Sequence, residues 1–321
     1  MKKFMFMSMA IVAMLMVSCK NEDISISREV TFNVEPYSVI SGFSAYQVNA
    51  NDLEVLSSGD KLRIHLLVYD ANGDLVESEL RYLSDYRSAM NVTFDLPDGN
   101  YTVVATSDVA TLSGDNVTFE YWEFSGLNRL SDLRVSETGY IGYDDKIFGA
   151  LCENINVCSG HETHTLNLKP AGALFIVREW NIHHFSDVDY WRVLASKGSN
   201  SYTFNSNGSY SSNIDEGSYF FHNMTVSTHD GDRYYSYHFS MPYGNTIFVW
   251  AAYLNDGSAM QLADGVSLNI EKEKVYYMNC SCDLLEWEVG ELTGNKSAHV
   301  SGEAQKLCAN KLGCMVDRTA E

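Results

Sequence analysis

The chain has 321 residues, a formal net charge of −20 at pH 7 and 12% aromatic residues. This length exceeds what one hydrophobic core usually supports, so we expect two domains. The acidic balance argues against nucleic acid and anionic membrane surfaces as partners, and the aromatic content argues against intrinsic disorder.

The amino terminus is typical of an export signal that ends at a cysteine. A short basic start precedes an apolar run over 4–17, which is too short for a comfortable membrane span. Ser18 and Cys19 follow, and this order resembles the lipobox of bacterial lipoproteins, although Met16 stands where leucine is usual. The resemblance implies a signal peptide over 1–18 and acylation of Cys19, palmitate included. An ordinary secretory peptide with a chance cysteine is the alternative.

The residues after Cys19 indicate where the anchored chain would be displayed. The run Lys-Asn-Glu-Asp over 20–23 resembles the surface-export signal of Bacteroidetes lipoproteins. We interpret 19–29 as a linker between the anchor and the first folded domain. The predicted location is therefore the cell outer membrane, with the protein lipid-anchored and surface-exposed.

Strand follows strand after the linker, which predicts an all-β protein. Alternating or apolar-rich runs with turn residues between them predict strands over 29–34, 61–69, 90–96 and 101–106. A second series of runs predicts strands over 165–170, 173–180, 202–204, 219–226, 234–240, 246–254, 266–270 and 275–282. No long amphipathic helical pattern interrupts either series, which disfavours parallel α/β folds.

The two series of strands indicate two domains with a boundary near residue 165. We predict an N-terminal β-sandwich over 30–164 and a C-terminal β-sandwich over 165–289. The strand pattern breaks after that, so 290–321 is interpreted as a tail of uncertain order.

Four stretches of this pattern resemble the Bacteroidetes fimbrillin superfamily of fimbrium pilins and their lipid-anchored accessory subunits. The similar stretches lie at 30–34, 62–76, 96–105 and 166–177, where apolar strands meet Asp-, Asn-, Gly- or Pro-containing turns. The resemblance covers about residues 28–285. It implies two tandem transthyretin-like β-sandwich domains and a role in surface fimbriae. The implied partners are other fimbrial subunits, which bind by β-strand addition.

The resemblance also makes Arg28 a candidate processing site. Polymerising members lose an N-terminal strand by proteolysis, often after an arginine, and a neighbour's strand fills the exposed groove. Arg28 precedes the first predicted strand, although a solvated linker arginine explains it equally well. The tail after Glu291 lacks the apolar alternation of a donor strand, which favours an anchor or accessory subunit over a shaft subunit.

Cysteine and histidine residues form the densest group of potential metal ligands. Cys152, Cys158, His161 and His164 lie within a short stretch, but their spacing matches no standard zinc finger. An oxidising compartment favours a disulfide, so Cys152 and Cys158 are a candidate pair, with free thiols as the alternative. We predict no metal site and no cofactor.

The acidic turn over 70–74 has two interpretations. Asp70, Asn72 and Asp74 resemble the start of a calcium loop, but Arg81 stands where the closing glutamate of an EF-hand would be. A tight hairpin turn explains the same residues. The chain also lacks nucleophile-elbow and phosphate-loop motifs, so we do not expect an enzyme.

Aromatic residues supply the alternative function. Trp180, Tyr190 and Trp191 are candidate stacking platforms for sugar rings, although core packing also accounts for such residues. The main hypothesis is a lipid-anchored, fimbrillin-like anchor or accessory subunit acting in filament assembly or adhesion. The alternative is a surface glycan-binding lipoprotein that feeds a polysaccharide importer, and a host or glycan ligand is compatible with both.

Overall fold

A computed structural model describes residues 27–37, 56, 58–85, 88–138, 148–158, 160–179, 188–225, 234–240, 244–261, 266–280, 285–291 and 302–303. The predicted signal peptide, Cys19 and most of the 290–321 tail lie outside these residues. The described part of the chain is built from strands and turns, so the all-β prediction is confirmed. Its transthyretin-like connectivity stays a prediction. No helix in this part is long and apolar enough to cross a membrane.

Eleven short to medium strands lie in the described residues of the first half of the chain. They are β1 (Ser27–Glu35), β2 (Asp60–Tyr69), β3 (Leu75–Leu83), β4 (Met90–Pro97), β5 (Gly99–Ser113), β6 (Asn116–Glu120), β7 (Trp122–Ser125), β8 (Arg134–Glu137), β9 (Gly149–Val157), β10 (Glu162–Asn167) and β11 (Lys169–Pro170).

The second half contains two long strands that form a hairpin, and several shorter ones. They are β12 (Ala173–Glu179), β13 (Val188–Asn205), β14 (Ser209–Thr225), β15 (Tyr234–Ser240), β16 (Gly244–Leu254), β17 (Ala259–Gln261), β18 (Val266–Ile270), β19 (Lys274–Cys280), β20 (Leu285–Glu291) and β21 (Gly302–Glu303).

These strands form four sheets. Sheet I has the order β10-β1-β4, and sheet II has the order β11-β9-β5-β2-β3 with β6 added to β5. Sheet III has the order β17-β16-β13-β8-β7, with β14 added to β13 and β18 added to β16. Sheet IV has the order β15-β12-β19-β20-β21.

Sheets I and II enclose the first hydrophobic core. Val30, Phe32 and Val34 of β1 pack in one buried cluster with Ile64 and other residues of β2, β5 and β9. The opposite face of sheet II is also buried, because its side chains pack against sheet III. Strand β2 is therefore covered on both faces, and it is buried at nearly every position although Lys61, Arg63 and His65 alternate with apolar residues along it.

The second core joins sheet II to the later sheets. Trp122 and Phe148 lie 4.8 Å apart between ring centroids, and Phe148 stacks on Tyr202 of β13 at 5.4 Å. Sheets III and IV meet at Phe175 of β12, whose ring centroid lies 5.7 Å from that of Phe248 in β16. Five of the fifteen buried residues in this core are aromatic, in agreement with the high aromatic content of the chain.

The strand pairing divides the chain differently from the boundary predicted near residue 165. That boundary falls inside β10, which pairs with β1 in sheet I, and β11 then pairs with β9 in sheet II. Strands β7 and β8 precede the boundary, yet β8 pairs with β13 in sheet III, for example Val135 opposite Tyr202. The chain therefore crosses to the later sheets and returns before β9.

Candidate functional site

The first strand of the described chain occupies the centre of sheet I. β1 pairs antiparallel with β4, from Ser27 opposite Pro97 to Val34 opposite Met90. On its other side it pairs parallel with β10, from Val30 opposite Glu162 onwards. Strand β1 thus bridges two strands that do not pair with each other, and its hydrogen bonds hold both of them.

Alternate side chains of β1 fix it in the first core. Val30, Phe32 and Val34 are fully buried, while the residues between them face outward. Burial of each such side chain contributes roughly 1.5–3 kcal/mol, so the three together contribute roughly 5–9 kcal/mol. This is comparable with the whole net stability of a typical domain, about 5–15 kcal/mol. Strand β1 is therefore an integral part of the first sandwich.

Arg28 lies within β1 and is tied to the turn after β4. Its Nε and Nη2 atoms donate to the two carboxylate oxygens of Asp98 at 2.7 and 3.2 Å. The hydrogen bond from Arg28 lowers the pKa of Asp98 below its usual value. A proteolytic cut after Arg28 would leave residues Glu29–Glu35, including the buried side chains, in place. Such a cut would not open a groove in sheet I.

The segment between β1 and β2 contains no cleavage site for a protease that requires a basic residue. The sequence over 36–59 has neither lysine nor arginine, and the first basic residue after Arg28 is Lys61, already inside β2. Only a cut in this segment would separate β1 from the rest of the fold. Arginine-directed processing therefore has no position from which it could release β1.

Strand β3 offers an exposed edge at the margin of sheet II. Among the described strands it pairs with β2 alone, and Val76 and Leu80 on its outer face are 42% and 44% exposed. Along the same strand Arg81 Nε donates to Glu79 Oε1 at 2.7 Å. Charged side chains on an edge oppose non-specific pairing while leaving the backbone groups available to a complementary strand.

The prediction of a Cys152–Cys158 disulfide is wrong. Both residues are free thiols, Cys152 buried and Cys158 exposed. The chain between them is the extended strand β9, so their Cα atoms are roughly 20 Å apart, whereas a disulfide needs about 4.4–6.8 Å. Burial raises the pKa of Cys152 to about 11, and its Sγ lies 3.7 Å from Asn205 O. This thiol is a packing residue.

The histidines near Cys158 serve strand contacts. His161 Nδ1 lies 3.6 Å from Glu29 Oε2 of β1, and His164 Nε2 lies 3.4 Å from Glu162 Oε2. The ring of His164 also stacks on Phe32 across the β1–β10 pair, with centroids 5.7 Å apart. Across the described residues no group of three or more histidine, cysteine or acidic residues is arranged to hold a metal ion.

The acidic turn between β2 and β3 is a hairpin turn. Asp70 Oδ1 accepts hydrogen bonds from the backbone N–H groups of Asn72 and Asp74, each at 2.9 Å. These bonds lower the pKa of Asp70, against a desolvation effect that raises it. Gly73 has a φ of 79°, which the turn requires. Because the Asp70 carboxylate is occupied by the turn itself, the turn accounts for the acidic residues that resembled a calcium loop.

Of the three candidate glycan-stacking residues, two lie within the described part of the chain. Trp180 is outside the described residues. Tyr190 and Trp191 lie in β13, between β14 and β16, with Trp191 opposite Met224 and Ala252. Their role in stacking stays a prediction.

A buried ionic cluster on β2 escaped the sequence analysis. Arg63 Nε donates to Asp108 Oδ1 at 2.8 Å, and its other nitrogens contact Asp108, Glu120 and the carbonyl oxygen of Trp122. Arg63 and Asp108 are buried. Burial lowers the pKa of Arg63, but Asp108 and Glu120 raise it more strongly, so the pKa is raised overall. The signal in the sequence was a charged residue inside an apolar strand, which requires a buried partner. The cluster ties β2 to the point where the chain crosses to β7.

The chain has distant structural neighbours among adhesion and fimbrial proteins. Neither a protein-family model nor a curated protein sequence matches it. One similar structure is a candidate adhesin from Bacteroides ovatus, with 12% identity, coverage of 92% of this chain and 100% of that chain, and a TM-score of 0.48. A second is a fimbrial anchor protein from Porphyromonas gingivalis, with 10% identity, coverage of 79% and 90%, and a TM-score of 0.46. A third, from Bacteroides thetaiotaomicron, is described as a candidate polysaccharide-binding protein, with 15% identity, coverage of 84% and 98%, and a TM-score of 0.47.

At these identities and TM-scores the likeness is a distant one.

Proposed function

We propose that this protein is a lipid-anchored, surface-exposed subunit of a fimbrium that acts as an anchor or accessory component. The observation that carries the proposal is the position of β1, which fills the centre of sheet I with its own buried side chains. The sequence resemblance supports a fimbrial role, and the distribution of basic residues supports retention of β1. The chemistry is acylation of Cys19 and main-chain hydrogen bonding, with no cofactor.

Retention of β1 distinguishes a terminal subunit from a shaft subunit. A shaft subunit must open a groove to receive its neighbour's strand, whereas here the equivalent position is occupied and 36–59 contains no basic residue at which to cut. The subunit therefore does not take up a donor strand in sheet I. Partner subunits bind elsewhere, and β3, which pairs only with β2 among the described strands, supplies an edge for strand addition.

The same strand suits a tethered protein mechanically. A lipid on Cys19 would pull on the chain just before Ser27, along the axis of β1. The hydrogen bonds to β4 and β10 run across that axis, so a pulling force shears many of these bonds at once instead of breaking them one after another. An anchor that enters the fold through a central strand resists extraction better than one attached to an edge.

Strand exchange tests whether β1 blocks the groove. The mature chain is compared with a variant that carries the recognition site of a sequence-specific protease inserted after Ser41. A fluorescent peptide with the sequence of residues 27–35 is added before and after cleavage. We expect no binding to the uncut chain and slow exchange into the cut chain, with a Phe32→Asp peptide as the non-binding control. Equal uptake by uncut and cut protein would contradict retention of β1.

Pull-down and mass spectrometry test the fimbrial and lipid assignments. The protein is affinity-tagged in the source cell, and co-purifying surface proteins are identified from wild type and from a Cys19→Ala variant. We expect fimbrial subunits to co-purify with wild type, and an acylated amino-terminal cysteine in its mass spectrum. We also expect the Cys19→Ala variant to be released from the membrane fraction. Absence of fimbrial subunits, or an unmodified Cys19, would count against the proposal.

A further inference from the structure

Two adjoining cavities at the junction of sheets II and III form one groove lined by amides. Their volumes are about 480 and 490 Å³, and both are lined by Ala71 and Ser206. Volumes of this size fall in the range of small-molecule binding sites. The asparagines of the lining are Asn72, Asn100, Asn154, Asn156, Asn205 and Asn207. We refer to this feature as the amide groove.

The floor of the amide groove is a ladder of polar side chains on neighbouring strands. Asn100 of β5 lies opposite Asn156 of β9, and Thr102 lies opposite Asn154 one step further along. Side chains two residues apart on a strand share a face, so these residues stand on the face of sheet II that turns towards sheet III. The exposed amides of Asn100 and Asn156 make no hydrogen bond within the described structure and are available to a ligand.

Asn154 connects this floor to the opposite wall. Its Oδ1 accepts from Thr102 Oγ1 at 2.9 Å, and its Nδ2 donates to the carbonyl oxygen of Ser206 at 3.0 Å. Ser206 lies at the tip of the β13–β14 hairpin, where Gly208 has a φ of 75°. A Cβ atom on Gly208 would lie only 3.2 Å from the Asn154 backbone nitrogen. The hairpin tip is thus seated on β9, and Asn154 is a positioning residue.

The β2–β3 turn forms the third wall of the amide groove, and contacts within the protein fix its position without a ligand. The β2–β3 turn is closed by Asp70, and its Gly73 carbonyl oxygen accepts a hydrogen bond from Leu130 N at 2.8 Å. Arg129 Nε donates to Asp74 Oδ1 at 3.0 Å on the same side. Walls fixed in advance reduce the ordering cost of binding.

The lining determines the chemical class of ligand. It carries one carboxylate, Asp70, and one guanidinium, Arg129, so it is neutral in a chain whose net charge is −20. An acidic ligand would meet the negative field of the chain, and a peptide strand would need an open sheet edge, whereas this floor is a sheet face. Amides and hydroxyls both donate and accept hydrogen bonds, as do the hydroxyl groups of sugars.

We infer that the amide groove binds a neutral glycan, with Asn100 and Asn156 as the ligand-contacting residues. The site lies on the face of sheet II opposite to sheet I, and it is independent of the fimbrial role proposed above. Loss of glycan binding would leave strand retention unchanged, so failure of this inference can be told apart from failure of the fimbrial proposal. Because amides and a hydroxyl form the floor, binding is dominated by hydrogen bonds and is weak for a single oligosaccharide.

The test is titration of the mature chain with defined oligosaccharides, followed by NMR. The probes are the hexasaccharides of maltose, xylan and mannan type, a hexasaccharide of galacturonic acid, and an uncharged nine-residue peptide. We expect at least one neutral hexasaccharide to shift the amide resonances of Asn100 and Asn156. The Asn100→Ala/Asn156→Ala variant should weaken that binding about tenfold, as expected for two lost hydrogen bonds. Asn91→Ala, an exposed asparagine on β4, is the matched control and should bind like wild type.

Three outcomes would overturn the inference. The first is no binding of any neutral probe at millimolar concentration, and the second is binding unchanged in the double variant. The third is preference for the acidic hexasaccharide or the peptide over the neutral sugars. Because both asparagines are exposed, the double variant should fold, and circular dichroism verifies this. An Asn100→Asp/Asn156→Asp variant, which keeps side-chain size, gives a second measurement and should bind as weakly as the alanine variant.

Discussion

Replacing Phe32 with alanine should remove much of the stability of the first sandwich. The Phe32 ring is fully buried in β1, with its centroid 6.1 Å from that of Phe94 in β4 and 5.7 Å from that of His164 in β10. Deletion of a buried phenylalanine ring typically costs about 3–5 kcal/mol. In a domain of 150–250 residues each kcal/mol lowers Tm by about 2–4 °C, so we expect a fall of roughly 6–20 °C.

Urea denaturation and differential scanning calorimetry of the mature chain measure this loss. Thr31→Ala is the matched control, because Thr31 neighbours Phe32 on the same strand but faces outward, with its Oγ1 2.8 Å from Thr93 Oγ1. We expect the control to cost no more than about 1 kcal/mol. Equal costs for the two variants, or a loss below about 1 kcal/mol for Phe32→Ala, would refute the packing of β1 as a central strand.

Three further predictions concern the buried polar groups. Arg63→Ala leaves the buried carboxylate of Asp108 without its main partner and should cost about 3–5 kcal/mol. The Arg63→Met/Asp108→Leu double variant should recover most of that loss in urea titrations, and no recovery would argue against the pair. Burial, aided by Arg63, lowers the pKa of His65 to about 4 from 6.5, so between these values the unfolded chain binds a proton that the folded chain does not. The free energy of unfolding should fall by roughly 3 kcal/mol as the pH drops through this window. Denaturation at several pH values should show a shallower fall for His65→Gln than for wild type. Equal pH dependence of the two proteins would contradict this prediction. Tyr202 is fully buried, and its hydroxyl has no hydrogen-bond partner within the described structure. The Tyr202→Phe variant should therefore have an unchanged melting temperature, or one raised by the equivalent of about 1 kcal/mol. A clear drop in melting temperature would reveal a partner.

Much of the secondary structure followed from local sequence. The run predicted as a strand over 61–69 is β2 (Asp60–Tyr69), and the run over 90–96 is β4 (Met90–Pro97). The acidic turn between β2 and β3 forms where its aspartate, asparagine and glycine predicted it. Alternation and turn chemistry are properties of a few neighbouring residues, so they can be seen without knowledge of the rest of the fold.

The disulfide prediction failed because spacing along the chain does not give distance in space. Cys152 and Cys158 are near in sequence, and a loop would have brought them together. The intervening residues form strand β9 instead, which holds them apart and buries only the first. The strand could have been suspected from the alternation of Ile155 and Val157 with Asn154 and Asn156.

The sequence by itself determined the strand-rich class of this protein, its turns and the candidate signal at its amino terminus. Tertiary structure alone decided that β1 lies between β4 and β10, that β8 joins β13, and that Asn154 meets the β13–β14 hairpin. Each of these is a contact between segments far apart in the chain. The side-chain pattern of a strand specifies which face is buried, and many partners satisfy the same pattern. The choice among them is made by the packing of the whole core.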